Sequence, residues 1–263
     1  MKYMGSKSRI VKEIAPIIQS YIDSTEKKLY YEPFCGGCNV IQYIKANKRF
    51  ASDNQKYLIA LYQNLDKIDT LPEFVTKEHY DLVRSCFNNN TAEYEDWYIG
   101  AIGFLASYNG RFFDGGYAGI VHTKAGTERN YYAEAKRNLE QQIPYLKDII
   151  FNHLDYYDCK NISGYVIYCD PPYKNTKQYG SSKNFDHDKF WRWVRDKSQN
   201  NVVIVSEHQA PDDFKCIWEQ KLLRTIDNQK RIEATERLFI IKDQEGPKPL
   251  FLIFTHKYAL YPV

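Results

Sequence analysis

The stretch 168-YCDPPYKNT-176 combines an acid, two prolines and an aromatic ring directly after the apolar run 165-YVIYC-169. A residue that precedes proline is pushed into extended conformations, and proline itself has a fixed φ and no backbone N–H. The segment therefore presents the Asp170 carboxylate and the Pro171 carbonyl in preset directions, with few competing donors. The plain alternative is a proline-rich turn in which Asp170 is a surface acid.

Two rigid acceptors at the end of a strand, where α/β sheets bind ligands, are suited to holding an –NH2 group. The aromatic amine of a nucleobase is such a group, and it is a weak nucleophile because its lone pair is delocalised into the ring. Accepting both of its N–H bonds returns electron density to nitrogen and favours attack on a methyl group. Tyr173, next to Pro172, supplies a ring on which the base could stack.

A second candidate site lies in 31-YEPFCGGCNV-40, where we predict a strand, a turn at Gly36-Gly37 and then a helix. Glycine lets the backbone approach a ligand closely, and Asp53 follows at roughly the interval at which an acid binds a ribose. The turn is not GxGxxG, because Cys38 stands where a second spaced glycine is expected. S-adenosylmethionine is therefore favoured over NAD, although such turns also arise from packing alone.

The bulk properties exclude few classes of protein. The 263 residues suffice for one large domain with an inserted lobe or for two modest domains, and a net charge of +3 does not by itself indicate nucleic-acid binding. There is no run of eighteen apolar residues and no signal-peptide core, so we expect a soluble cytoplasmic protein with no membrane segment. Of six cysteines only Cys35 and Cys38 form a CxxC pair, so no metal is expected.

The elements that must position these residues alternate in type along the chain. Residues 29–47 are predicted to form a strand, a glycine turn and a helix. Further predicted helices lie in 8–22, 78–87, 94–108, 130–143, 186–198 and 211–220, and further predicted strands in 48–55, 149–156, 165–169, 201–207, 222–226, 237–242 and 250–254. The order predicts a doubly wound α/β domain. We assign residues 1–60 and 146–263 to a catalytic domain and residues 61–145 to an inserted helical lobe.

Together these motifs resemble the Dam-like, D12 class of N6-adenine DNA methyltransferases, in which the cofactor motifs come first and DPPY late. The resemblance is carried by 2-KYMGSK-7, 32-EPFCGG-37, Asp53, 155-DY-156, 170-DPPY-173 and 205-VSEHQAPDDF-214. It implies a Rossmann-like class I methyltransferase fold with a seven-stranded, mostly parallel sheet. It also implies S-adenosylmethionine as cofactor and a helical DNA-recognition lobe inserted before DPPY.

The resemblance assigns a role to each matched residue. The cofactor site would comprise Tyr3, Gly5, Lys7, Phe34, Gly36, Asp53 at the ribose, and Asp155 and Tyr156 at the adenine; the catalytic residues would be Asp170, Pro171, Pro172 and Tyr173. Ser6 and Cys38 stand where many members have glycine, so we expect cofactor binding to be weakened but not lost. His208 receives no catalytic role.

The expected partner is double-stranded DNA, from which the target adenine must be flipped out. Between residues 174 and 197 there are seven Lys or Arg against three Asp. Lys174, Lys177 and Lys183 follow DPPY directly and are candidates for phosphate contacts beside the flipped base. In the lobe, Arg111 lies in the glycine-rich segment 108-YNGRFFDGGYAG-119 and is the best candidate to read a base.

Other functions remain open from the sequence. N4-cytosine methylation uses the same amine chemistry, although its motif more often has Ser in place of Asp, and RNA is an alternative substrate. A DNA-binding protein that kept the fold without activity is a different class, against which the intact DPPY argues. A nucleotide-binding oxidoreductase would bind NAD and ignore S-adenosylmethionine.

Overall fold

The computed structural model of the chain describes residues 1–122, 126–174, 185–227 and 230–244. Its α-helices are α1 (Val11–Asp23), α2 (Lys56–Tyr62), α3 (Lys77–Asn89), α4 (Asp96–Leu105), α5 (Tyr131–Leu146) and α6 (His187–Ser198). Its strands are β1 (Leu29–Glu32), β2 (Lys48–Asp53), β3 (Ile120–His122), β4 (Glu128–Asn130), β5 (Ile149–His153), β6 (Tyr165–Cys169), β7 (Val202–Glu207), β8 (Phe214–Asp227) and β9 (Lys230–Ile241).

Seven strands form one sheet in the order β5-β2-β1-β6-β7-β9-β8. The pairs from β5 to β7 are all parallel, whereas β9 pairs in antiparallel fashion with both β7 and β8. Within the described sheet, β9 therefore runs against its neighbours. This mostly parallel seven-stranded sheet confirms the predicted fold class.

Helices cover both faces of the sheet, because successive side chains of a strand point to opposite faces. On β6, Val166 packs in the same apolar cluster as Ile18 of α1, while the next residue, Ile167, packs in the cluster that contains Phe190 of α6. All four side chains are at most 1% exposed. A strand buried on both sides explains why 165–169 is a continuous apolar run.

The helix predicted after the glycine turn is wrong. After Cys38 the chain makes only the 3-10 helix Ile41–Tyr43, whose amides bond three residues back, at Val40 and Ile41. Cys38 has φ +55°, which is outside the helical region and interrupts a helix that would continue from the turn. The turn therefore does not lead directly into an α-helix.

The helix predicted at 211–220 is also wrong, because this segment begins strand β8. Phe214, Ile217 and Trp218 have helical spacing, but residues 214–227 pair with β9, with a register shift between Cys216 and Trp218. That shift is a β-bulge, which breaks the two-residue alternation by which a strand is recognised. The strand predicted at 250–254 lies outside the described residues.

The predicted helices at 78–87, 94–108 and 130–143 are present as α3, α4 and α5. They share one apolar core with α1 and α2. At Gly100 of α4 an added Cβ would lie 2.1 Å from the Tyr57 carbonyl oxygen of α2, so the two helices touch through backbone. The short β3–β4 hairpin was not predicted, and the boundaries at residues 61 and 145 stay a prediction.

Candidate active site

The two motifs lie at one edge of the sheet, because the strands that lead into them are neighbours. β1 pairs in parallel with β6, with Tyr31 opposite Ile167, so the loop after Glu32 lies beside the loop that begins at Asp170. β2 flanks β1 on its other side and ends at Asp53. Carboxyl ends of parallel strands are where α/β sheets bind ligands.

The Asp170 carboxylate is held by Lys7, which reaches it from the N-terminal segment. The Lys7 ammonium lies 3.0 Å from Asp170 Oδ1, with side-chain exposures of 8% and 21%. Burial raises the pKa of Asp170, and the neighbouring Lys7 ammonium opposes that shift. The lysine therefore favours the charged, hydrogen-bond-accepting form of the carboxylate.

Tyr173 is fixed through its hydroxyl. It donates to Glu236 Oε2 at 2.7 Å, accepts from Lys7 Nζ at 2.6 Å and lies 2.6 Å from Ser206 Oγ. A phenol has only one proton to donate, and Tyr173 donates it to Glu236. The Ser206 hydroxyl therefore donates its own proton to the Tyr173 oxygen. The Tyr173 ring is 7% exposed and meets His208 edge-on at 4.6 Å between centroids.

The loop after Pro172 is tied to the end of β7. Glu207 Oε2 accepts from the Lys174 backbone N–H at 3.1 Å, and Oε1 accepts from the His208 N–H at 2.7 Å. Burial raises the pKa of Glu207 to about 7. Of the DPPY prolines, Pro171 is buried and Pro172 partly buried, as a rigid turn packed against the sheet requires.

The glycine turn and Asp53 form one unit. The Gly36 N–H donates to Asp53 Oδ2 at 3.1 Å and the Gln55 N–H donates to Oδ1 at 3.0 Å. Burial raises the pKa of Asp53, and these backbone hydrogen bonds oppose the shift. Gly36 has φ +44°, and a Cβ there would lie 2.8 Å from the Tyr3 ring, so the turn needs glycine. Tyr3 and Gly36 are thus in contact, as predicted neighbours in a cofactor site should be.

An aromatic cluster adjoins this turn. The rings of Phe34 and Tyr156, which are 122 residues apart, lie 5.1 Å from each other, and Phe185 contacts both at 5.9 and 5.7 Å. Asp155 begins the 3-10 helix Tyr156–Asp158, and its Oδ1 accepts the Tyr157 N–H at 2.9 Å. The structure therefore brings Phe34, predicted for the cofactor pocket, into contact with Tyr156, predicted for its adenine.

The other predicted residues that the structure describes lie nearer the surface. Gly5 is exposed with φ +80°, and Lys174 is exposed. Arg111 is partly buried in the loop after α4, where its carbonyl accepts from the Asp114 and Gly115 amides at 2.7 and 3.0 Å. Lys177 and Lys183 lie outside the described residues. DNA contacts by these four cationic side chains stay a prediction.

Glu236 is a site residue that sequence reasoning missed. It is 2% exposed on β9 and contacts both Lys7 and Tyr173. A signal was present, because Glu236 interrupts the alternating row that continues with Leu238 and Ile240, both fully buried. An acid in the core-facing row of a strand requires a partner and so marks a position worth testing.

Within the described ranges, no group of three or more His, Cys, Asp or Glu side chains is placed to hold a metal ion. Among the helices that the structure describes, none is long and apolar enough to cross a membrane.

Comparison with known proteins agrees with the geometry. The model of the family described as "D12 class N6 adenine-specific DNA methyltransferase" matches residues 3–208. That range contains both motifs and covers most of the chain, so the protein belongs to this family. The match confirms the resemblance seen in the sequence.

Other comparisons add little. No curated protein matches the chain. A solved structure described as "Crystal structure of SMU.472, a putative methyltransferase complexed with SAH" is similar with 8% identity and a TM-score of 0.26, and the similarity covers 79% of this chain. The present chain spans 52% of the length of that one. At that TM-score the similarity bears on neither fold nor function.

Proposed function

We propose that this protein transfers a methyl group from S-adenosylmethionine to the N6 amino group of an adenine flipped out of double-stranded DNA. The observation that carries the proposal is the position of DPPY. It follows β6 directly, beside the glycine turn that follows β1, and it lies within the range matched by the family. A DNA substrate would place the enzyme in the cytoplasm.

The residues at the glycine turn fit the cofactor. Asp53 accepts two backbone N–H groups, and a carboxylate has about four lone-pair sites, so it retains capacity for the ribose hydroxyls. Phe34 and Tyr156, whose rings contact each other, would form one wall of the adenine pocket, and Tyr3 and Gly36 would line the adjoining part of the cofactor site. When bound, S-adenosylmethionine supplies an electrophilic methyl group.

The catalytic residues act on the amine. Asp170 and the Pro171 carbonyl would accept the two N6–H bonds and so return electron density to the nitrogen. As the N–C bond forms and the S–C bond breaks, the nitrogen must release one proton, for which Asp170 is the adjacent acceptor. Tyr173 would stack on the base, offsetting the few kcal/mol that flipping costs by about 1–3 kcal/mol.

The contacts on Lys7 bear on its predicted role. An ammonium has three N–H donors. Lys7 contacts Asp170, Glu236 and Tyr173 at 3.0, 3.2 and 2.6 Å, which accounts for all three. We therefore propose that Lys7 holds the catalytic carboxylate of Asp170 in position, at the boundary between the cofactor and target-base sites.

Incubating unmethylated DNA with the protein and S-adenosylmethionine tests the proposal. Modified bases are mapped by sequencing and identified by nucleoside mass spectrometry, and N6-methyladenine at a defined sequence is expected. N4-methylcytosine would support the alternative substrate. No modified adenine across varied sequences, with cofactor binding shown by titration, would contradict the proposal.

Asp170→Ala separates chemistry from binding. Loss of a preorganised acceptor should lower the transfer rate by about 100- to 1000-fold. The cofactor dissociation constant should stay close to that of the wild type, because the cofactor-site contacts of Asp53 and Gly36 are not changed. Asp69→Ala, an exposed acid in the 3-10 helix Leu65–Thr70, is the matched control. Unchanged turnover in Asp170→Ala would exclude the role given to this carboxylate.

A further inference from the structure

Glu236 occupies a position in which a carboxylate is costly. It is 2% exposed on β9, in the row of side chains that includes the fully buried Leu238 and Ile240. A buried charge persists only where it is paired and hydrogen-bonded. Its contacts with Lys7 at 3.2 Å and with Tyr173 at 2.7 Å supply that pairing, and both partners belong to the active site.

The backbone that presents Glu236 belongs to the sheet. β9 lies inside the sheet, bonded on one side to β7, where Glu207 faces Arg237, and on the other to β8, where Gln220 faces Glu236. A side chain on such a strand is positioned more exactly than one on a loop. Lys7, by contrast, follows an irregular segment and has a long flexible side chain.

We infer that Glu236 is a positioning residue for methyl transfer, which holds the Lys7 ammonium against Asp170 and the Tyr173 hydroxyl in place through one carboxylate oxygen. Both contacts use Oε2 of Glu236. One atom therefore aligns the acceptor of the target amine and the ring beneath the target base. Glu236 lies outside residues 3–208, the range that the family match covers.

Charge supplies a second argument. Lys7 is one cation between two carboxylates, since it pairs with Asp170 at 3.0 Å and Glu236 at 3.2 Å. The negative charge of Glu236 acts to raise the pKa of Asp170, and Lys7 acts to lower it. Removing the Glu236 charge takes away the influence that raises the pKa of Asp170 and leaves Lys7 paired with Asp170. The pKa of Asp170 should therefore fall.

The test compares Glu236→Gln, which keeps the shape, with Glu236→Ala, which removes the acceptor. Because the role of Glu236 depends on the methyl transfer proposed above, two readouts are needed. Single-turnover transfer at saturating DNA and cofactor measures positioning, and the 13C shift of the Asp170 carboxyl carbon, followed against pH, measures charge without requiring activity. Glu219→Ala, which removes a carboxylate 62% exposed on β8, is the matched control.

We expect Glu236→Ala to slow transfer about 10- to 100-fold, as loss of a hydrogen bond to a charged group does, with the cofactor dissociation constant within about threefold of wild type. Glu236→Gln should lower the Asp170 pKa and move the acid limb of the rate profile to lower pH. If Glu236→Ala does not fold, Glu236→Gln tests the positioning role through its Asp170 pKa and the acid limb of its rate profile.

Three negative results are distinguishable. A wild-type protein that transfers no methyl group contradicts the proposed function, and the Asp170 titration then still tests the role of Glu236. An active wild type whose Glu236 variants match it in rate and in Asp170 titration overturns only the positioning role. The Glu236 variants could also lose rate, cofactor binding and folded fraction in parallel at every pH. That result would overturn the positioning role, because a purely structural role of Glu236 would explain it.

Discussion

Replacing Lys7 by methionine should destabilise the fold by about 3–5 kcal/mol, the cost of leaving a buried charge uncompensated. The Lys7, Asp170 and Glu236 side chains are 8%, 21% and 3% exposed, with nitrogen–oxygen distances of 3.0 and 3.2 Å. At an effective dielectric constant near 20, each attraction is about 5 kcal/mol, most of which offsets desolvation of the three groups. Methionine keeps an unbranched side chain, one atom shorter than lysine, but leaves two neighbouring carboxylates without their cation.

The destabilisation caused by Lys7→Met should depend on pH. Burial already raises the pKa of Asp170, and loss of Lys7 removes the opposing influence, so that pKa rises further. A carboxylate whose pKa is raised by folding stabilises the protein below its unfolded pKa and loses that contribution as pH rises through its folded pKa. The cost of Lys7→Met should therefore be smallest near pH 4 and should grow towards neutrality.

Urea unfolding of both proteins between about pH 4.5 and pH 8 measures that cost. Lys56→Met is the matched control, because Lys56 pairs with Asp96 at 2.8 Å with side-chain exposures of 53% and 41%. An exposed pair of this kind should cost about 0–1 kcal/mol when broken. A cost for Lys7→Met below about 1 kcal/mol, or one that is the same at every pH, would refute the electrostatic account of the site.

Two further predictions concern the glycine turn and the strand before it. Cys38→Gly should be more stable than Cys38→Ala by about 1 kcal/mol, because φ at residue 38 is +55°, where a Cβ is unfavourable. Urea unfolding in which the alanine variant is as stable as the glycine variant, or more stable, would contradict this. Glu32 accepts from the Tyr30 hydroxyl at 2.6 Å, and burial raises its pKa to about 8, so its contribution to stability is lost as pH rises through about 8. Between pH 6 and 9, the free energy of unfolding of Glu32→Gln should therefore rise relative to that of the wild type by on the order of a few kcal/mol in the same assay. Parallel stability curves for the two proteins would argue against this prediction.

Local patterns predicted the parts of the fold that are determined locally. The apolar run 165–169 and the prolines after it predicted a buried strand that ends at Asp170, and β6 is Tyr165–Cys169. The strand that ends at Asp53 and the helices α3 and α5 were also predicted, because their apolar positions keep one period throughout. These features need no knowledge of which distant segment lies beside them.

Pairing with distant segments decided the rest. The segment from Phe214 to Trp218 has helical spacing, yet it forms β8 because β9 offers a row of backbone partners and the bulge at Cys216/Trp218 absorbs the mismatch in period. After the glycine turn, the left-handed conformation of Cys38 stops a helix that the residue types alone allow. Neither outcome is visible in a short window of sequence.

The site divides in the same way. The sequence alone determined that Asp170, the two prolines and Tyr173 form a rigid acceptor at a strand end, because proline restricts the backbone wherever it occurs. Only the tertiary structure decided what fixes that acceptor, since Lys7 and Glu236 lie 229 positions apart and meet at 3.2 Å through the order of strands in the sheet. A buried charge must find its counter-charge in space, and its distance along the chain places no limit on which residue that is.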